Sequence, residues 1–474
     1  MTRTVSHTRL EKYGANEEAE KKPMKQNVMD MTRGPIMPQL VKFGTPVLLG
    51  MLFQRIYNFV DVFIVGRYLG DEALAAVSIA GSAMYLLMSL MMGLTTGVSI
   101  VISQYYGAGN EKKVRQTFAS SIFVAVISTA LITVCGMLGS KGLLHILQTS
   151  DELLGMAHEY LMIIFAGCAG TMLYNWISAV MRSLGNSVVP LVFLIVSSVL
   201  NVVLDILLIA MIPMGVAGAA LATVLAQAIS GALCLLYAFK VLPMLRLKKG
   251  ELRMDLQLAK QILVFGIPTG LQMSIISISD MALQSKINTY ETALIVAYGV
   301  ATKVEFLGWQ LAEAIGTALG TFVGQNIGAG NYKRVRQGVN RAYGIHFICY
   351  GIFCPVVWLF AGPIMGMFTQ SPESIRYGVE YMRIFSFFFL IGGTMCVYHN
   401  VLRASGDVKM TLAMGISEVI TRISFTFLFT AWMGYRGLWW VSPLTWVCAV
   451  AIGAIRYYSG KWEEIARKQA ITAK

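Results

Sequence analysis

The sequence predicts an all-α integral membrane protein: twelve transmembrane helices in two six-helix lobes, related by a pseudo-twofold axis, with a central cavity. Three observations carry that prediction. The 474 residues are 56% hydrophobic and only 13% charged, whereas a soluble domain carries about 25% charged residues. The apolar residues gather into runs of about 20 or more, the length a helix needs to cross a hydrocarbon layer of roughly 30 Å. The chain also repeats itself halfway along.

Taken in order, residues 1–37 are polar, Lys/Glu-rich and without the apolar core of a secretory signal, which reads as a mobile cytoplasmic tail. Spans follow at 39–65, 73–104, 115–138, 156–181, 188–211 and 216–240, forming an N-terminal lobe over 38–240. A basic linker at 241–255, VLPMLRLKKGELRMD, leads to a C-terminal lobe over 256–459. Its spans are expected at 257–283, 293–326, 336–360, 378–402, 409–433 and 438–458, and a second cytoplasmic tail occupies 460–474. The spans at 73–104 and 293–326 are too long for a straight crossing, so each should tilt, bend or extend past the membrane.

The repeat has three separated matches. QYYGAGNEKKVRQ (104–116) and QNIGAGNYKRVRQ (325–337) share nine of thirteen residues at an offset of 221. VMRSLGNSVVPL (180–191) pairs with VLRASGDVKMTL (401–412) at the same offset, and FGTP (43–46) with FGIP (265–268) one residue off. Six spans per half is an even number, so both halves enter the membrane in the same orientation, their axis lies along its normal, and a cavity falls between them.

The net charge of +13 follows from topology. Of the 38 Lys and Arg, 29 lie in one set of alternate loops and the two termini, five in the opposite set and four inside spans. That bias is the positive-inside rule: a multi-pass protein of the plasma (inner) membrane with both termini cytoplasmic, and no nucleic-acid partner. All seven cysteines fall in apolar spans without a CxxC pair and read as small packing residues. The repeated GAGN has no preceding strand and no following GK[ST], so it is not a phosphate loop. Gly107/Gly109 and Gly328/Gly330 instead read as helix-ending left-handed turns, and the ladder Gly316, Gly320, Gly324, Gly328 as a surface for close helix approach. His145, His158, His346 and His399 make no ligand spacing and read as packed or interfacial side chains. No catalytic cluster is legible; the expectation is a non-enzyme without cofactor.

Polar groups inside the spans need a reason, because insertion of a charge there costs on the order of 3 kcal/mol. Gln54, Asn58 and Asp61 share one face of the first span, and Asn201 and Asp205 one face of the fifth. Asp205 has no basic residue within a helical turn. Two acids in one half, each with an amide beside it, read as a site that binds a proton or a cation. The offset maps Asn201 onto Arg422 and Asp205 onto Thr426, so the second half lacks that carboxylate. Glu418 and Arg422, four apart, are expected to form a local ion pair. Asn58 maps onto Asp280. Gln54, Asn58, Gln272, Asp280 and Glu305 are candidates for the cavity wall, where the acids would attract cationic substrates; Glu305 has a rival reading as a partner of Lys303.

MTRGPIMPQLVKFGTPVLLGMLFQRIYNFVDVFIVGRYLG (31–70), the GAGN–KKVRQ junction, MRSLGN (181–186) and NVVLDILLI (201–209) together resemble the multidrug and toxic compound extrusion (MATE) family, over nearly the whole of 31–460. The resemblance implies a secondary active antiporter that exports small organic cations and drugs in exchange for H+ or Na+, by alternating access and as a monomer in the lipid bilayer. Within the family the chain looks closer to the DinF-like branch. There the matching positions Asp61, Asn201, Asp205 and, by spacing, Thr223 line a cation or proton site, with Na+ an occupant of the first three. A proline fifteen residues before the first-span aspartate, here Pro46, is implied to bend the helix. The NorM-like branch uses a tenth-span aspartate that this chain lacks. The alternative function is a lipid-linked precursor flippase of a related two-lobe plan, whose cavity would need several arginines.

Overall fold

The computed structural model describes residues 28–472. Among them there is no strand; the chain is a succession of helices. The first half comprises α1 (Ile36–Leu69), α2 (Asp71–Gly107), α3 (Glu111–Ile146), α4 (Asp151–Ala166), α5 (Cys168–Ser183), α6 (Val188–Asp205) with a π-helical continuation Ile206–Met211, and α7 (Val216–Val241). The second comprises α8 (Leu256–Ile287), α9 (Thr292–Gly328), α10 (Tyr332–Gly366), α11 (Pro372–Ala404), α12 (Val408–Met433), α13 (Tyr435–Tyr458) and α14 (Lys461–Thr472). Most of the expected N-terminal tail lies outside the described residues.

Among the described residues, nine helices are long and apolar enough to cross a membrane, and two bent pairs raise the number to eleven. One bend, of 41°, divides α2 between Tyr85 and Met88; the other, of 50°, separates α4 from α5. The second has a clear cause. Gly167 sits at the break, where a Cβ would run into Val224, and the Thr133 hydroxyl donates to the Phe165 carbonyl at 3.0 Å. The remaining expected span, 293–326, is entirely helical within α9 but falls short in apolarity, because Lys303, Glu305, Glu313, Gln325 and Asn326 interrupt it. Eleven spans rather than twelve are therefore apolar enough to cross unaided. Much of α9 is enclosed by protein, with Ala312, Ala318, Leu319, Gln325 and Asn326 buried, so its polar side chains are met by neighbouring helices instead of lipid. Outward-facing Phe59, Leu138, Phe387 and Trp432 are exposed by 72%, 83%, 75% and 80%, as lipid-facing side chains should be.

The lobes meet chiefly through α2 and α8. Gly93 and Gly97 lie against Gly266 and Gly270 so closely that a Cβ at any of the four would strike the opposing backbone. At the end of the molecule that carries the GAGN turns, the repeat meets its own copy. Gln104 Nε2 donates to the Ala404 carbonyl at 3.0 Å, and Gln325 Nε2 to the Ser183 carbonyl at 3.2 Å; both partners are related by the 221-residue offset. Gly107 and Gly328 pack against the backbone carbonyls of Gln325 and Gln104, where a Cβ has no room. The left-handed turns belong to Gly109 (φ 69°) and Gly330 (φ 74°) alone, with Asn110 and Asn331 N–H closing back on the Tyr105 and Asn326 carbonyls. The expectation that Gly107 and Gly328 also serve as turn residues is corrected: they are contact points between lobes. The glycine ladder divides similarly, Gly316 and Gly320 facing Asn400 of α11, and Gly324 and Gly328 facing α2.

One addition breaks the symmetry. Residues 29–34 lie across both lobes at this end: Met29 N–H donates to the Gly185 carbonyl of the first lobe at 3.2 Å, Met31 N–H donates to Gln325 Oε1 of the second at 2.9 Å, and Arg334 reaches the carbonyls of Met31, Arg33 and Gly34. The segment 460–474, read as a tail, folds over most of its length into α14, which buries Trp462 and Ala466.

Candidate functional site

The first-lobe site assembles from α1, α6 and α7. α1 runs as one helix through Pro46 and presents Asp61; Asp205 closes α6, at the point where the backbone passes into its π-helical segment. Such segments shift the register of the side chains that follow and recur at functional positions. The Asp61 and Asp205 carboxyls contact one another. Asp205 and Asn201 are buried, and Asn201 Nδ2 donates to the Thr223 hydroxyl of α7 at 3.4 Å. The acceptors around this point lack donors: both Asp205 oxygens, Asp61 Oδ1, Asn201 Oδ1 and Gln227 Oε1 are enclosed without a hydrogen-bond partner. Enclosed oxygens of this kind are ordinarily satisfied, and no basic side chain among the described residues forms an ion pair with either acid. The donor set fits a proton shared by the two carboxyls, and its oxygens equally fit a small hard cation.

The structure brings Asp61, Asn201, Asp205 and Thr223 into one neighbourhood, together with three residues that the sequence had not singled out. Tyr57 lies between the side chains of Gln54 and Gln227, and Tyr160 of α4 packs beside the acids. Gln227 stands four residues after Thr223, a spacing that could have found it. Asn58 is half-buried and Gln54 exposed on the same helix.

The second lobe is arranged differently. Arg422 pairs with Asp280 of α8 and not with Glu418, so the expected local ion pair does not form. The position of the first-lobe Asn201 thus carries a built-in positive charge, while Thr426, the counterpart of Asp205, turns its hydroxyl back onto the Arg422 carbonyl at 2.7 Å. Glu418 instead faces His399 at 3.6 Å. Gln272 is buried and fully engaged, donating toward His399 and accepting from Arg403 at 3.1 Å, so it does not stand on an open wall. Asp280 is exposed at 59% of its side chain. Glu305 accepts from the Tyr381 hydroxyl at 2.7 Å and the Trp309 indole at 3.4 Å, aromatic partners rather than Lys303.

Two comparisons decide the family. The MatE family profile matches residues 46–207 and again 268–428, once in each half. The chain belongs to the MatE family. Among its MatE relatives, the probable multidrug resistance protein YpnP of Bacillus subtilis is 31% identical over 92% of this chain and 97% of its own length. The probable multidrug resistance protein NorM of Thermotoga maritima is 25% identical over 91% and 94%. A MOP superfamily transporter from Pyrococcus furiosus has the same fold, with a TM-score of 0.86 at 22% identity over 94% of this chain and 99% of that one. MatE proteins are multidrug efflux transporters rather than enzymes, and the two-lobe all-helical architecture is the MatE fold.

Proposed function

We propose that this MatE protein is an antiporter of the plasma membrane that exports small organic cations and exchanges each for a proton bound between Asp61 and Asp205. The observation that carries the reading is the pair of contacting carboxyls whose enclosed oxygens have no donor. Two negative charges in contact and out of water repel strongly unless a positive charge joins them. A proton answers this most compactly; Na+ held by Asp61, Asn201 and Asp205 is the other occupant the oxygens allow. The ion can drive export only if it binds one conformation better than the other. A site formed between α1, α6 and α7 supports this, since it changes whenever α1 bends at Pro46 or slides on α6.

The lobes are joined at the end bearing the GAGN turns, and the excess of Lys and Arg in the loops there supports a cytoplasmic location for that end and for both termini. The closed junction supports an outward-facing state, in which the cavity between lobes would release its drug. The cycle calls for no cofactor and one chain. A flippase reading has less support: Arg422 is occupied by Asp280 and Arg403 by Gln272, while Arg55 and Arg383 rest on the rings of Phe306 and Trp358, so none of these four is free to hold a pyrophosphate.

The test is uptake and release of a fluorescent organic cation in proteoliposomes under separate pH and Na+ gradients. Export driven by the pH gradient and lost in Asp205→Asn is the expected result. Export driven by Na+ alone would replace the proton with the metal ion, and export that survives the substitution would remove Asp205 from the coupling site.

A further inference from the structure

The second lobe encloses a polar cluster that the first lobe does without. His399 on α11 and Glu418 on α12 are 7% and 2% exposed, with His399 Nε2 3.6 Å from Glu418 Oε1, an oxygen that has no hydrogen-bond partner. Gln272 of α8, also buried, joins them. The repeat shows how unusual this is: the 221-residue offset places Ser178 and Ser197 where His399 and Glu418 stand, and the FGTP/FGIP alignment places Gly50 opposite Gln272. One lobe packs the position with small side chains; the other keeps a carboxyl, an imidazole and an amide there.

The hydrogen bonds fix the protonation of the cluster. Arg403 can only donate, so the Gln272 carbonyl oxygen faces it, at 3.1 Å. The Gln272 amide nitrogen then faces the His399 ring, 3.2 Å from Nδ1 and 3.4 Å from Nε2, and can itself only donate. A ring nitrogen must accept, so the imidazole is neutral; the shorter contact makes Nδ1 the acceptor and leaves the N–H on Nε2, which faces Glu418. A proton added to Nδ1 would turn that nitrogen into a donor and break its bond with Gln272. A proton added to Glu418 could be donated to the facing ring nitrogen, Nε2, only if the ring N–H moved to Nδ1, which breaks the same bond with Gln272.

We propose that His399 and Glu418 form a second proton-binding site, and that loading it frees Gln272 from His399. Gln272 lies two residues from Gly270, where α8 touches α2 across the lobe boundary, so the event falls next to the junction that must open in transport. The charged and titratable surroundings are few. α8 adds Asp280, bonded to Arg422 of α12; α9 adds Glu313, which accepts from the Cys396 thiol; α10 adds His346, held by the Leu390 carbonyl; α11 adds Arg403; α13 adds Tyr457, beside Tyr398. None of them forms a hydrogen bond to Glu418.

Proton binding here stands independently of transport; its place in the cycle rests on the antiport reading. The experiment is pH-difference infrared spectroscopy of the purified full-length chain in lipid nanodiscs, following the carboxyl stretch. The expected result is a titrating carboxyl that persists in the double variant Asp61→Asn/Asp205→Asn and disappears in Glu418→Gln, with a midpoint that moves by about one pH unit, a tenfold change in proton affinity, in His399→Gln. A carboxyl titration unaltered by Glu418→Gln in folded protein overturns the proposal. Should Glu418→Gln fail to fold, His399→Gln alone decides, since an unmoved midpoint is equally fatal. In parallel, proteoliposomes measure protons moved per exported cation, which should fall in Glu418→Gln while export continues. Export unaffected by Asp205→Asn would sink the first-lobe coupling reading and leave the infrared result standing.

Discussion

Asp205 is enclosed with two acceptor oxygens and no donor, and its neighbour Asn201 holds only one weak bond, to Thr223 at 3.4 Å. An unpaired buried polar group costs about 1–3 kcal/mol, so these residues are held for something other than stability. Asp205→Asn is expected to abolish ion-driven export while leaving thermal unfolding within a few degrees of wild type, a combination that fluorescence-detected unfolding and the liposome assay measure together. Thr223→Ala removes one long hydrogen bond and should cost at most about 1 kcal/mol, with coupling weakened rather than lost. The acids of this site were legible because a carboxylate amid NVVLDILLIA has no local neutraliser. Glu418 was misread for the opposite reason: Arg422 stands one turn away, and spacing along a helix cannot reveal that Asp280 of another helix claims the guanidinium first. Glu305 likewise had Lys303 in view in sequence; of its real partners, Trp309 stands one turn along the same helix, while Tyr381 is reached only through helix packing, across 76 residues.

Element boundaries followed the apolar runs closely, because a run long enough to cross lipid leaves the backbone few alternatives to a helix. Bends did not. The break at Gly167 depends on Val224 and Thr133, side chains from α7 and α3, and α9 is long and polar because other helices enclose it. α14 was invisible as structure: its fold rests on Trp462 stacked over Tyr457, ring centroids 5.7 Å apart, and on Glu463 bridging Arg336 at 2.8 Å and Arg467 at 2.7 Å. The bond from Arg467 holds the Glu463 carboxyl below its usual range. A depressed carboxyl contributes docking that is complete above its unfolded pKa and is lost as pH falls through the lower, folded value. Acid below about pH 4 should therefore loosen α14 ahead of the transmembrane core, and hydrogen exchange of its amides at pH 7 and in acid should register the difference; Glu463→Gln should remove it. Both charges on the arginine side are well exposed, so the effect is small.

At the scale of the molecule, the two-lobe plan and its duplication were read from three short matches, and the family profile falls on the same two halves, 46–207 and 268–428. What the repeat could not convey was that its matched segments touch. Gln104→Ala with Gln325→Ala should remove the two repeat-related side-chain hydrogen bonds that cross between lobes at the GAGN end and shift the population toward the opposite state. Disulfide trapping between cysteines placed at 104 and 404 checks this: efficient closure in an otherwise wild-type background, and reduced closure at that end when Gln325 is also replaced. Gly107→Ala should act in the same direction more strongly, since its Cβ meets backbone that has no rotamer to escape into. An unchanged trapping yield in both would mean that the glycine contacts of α2 and α8 hold this end shut by themselves.

The meeting of Gln104 and Gly107 with Gln325 and Gly328 has a consequence for ancestry and assembly. Each copy of the motif offers the other what it receives, which is the self-complementary contact that two identical subunits form about a twofold axis. A six-helix chain bearing this motif once would already carry a surface able to recognise a second copy of itself in the same membrane orientation. Separate polypeptides ending and beginning within the 241–255 linker should accordingly find one another when co-expressed, and co-purify through a tag on one half; Gly107→Ala in the first half should weaken that capture. The covalent linker, on this view, fixes the stoichiometry of a partnership that the motif itself specifies, and it frees the two copies to diverge into one lobe with paired acids and one with its own arginine.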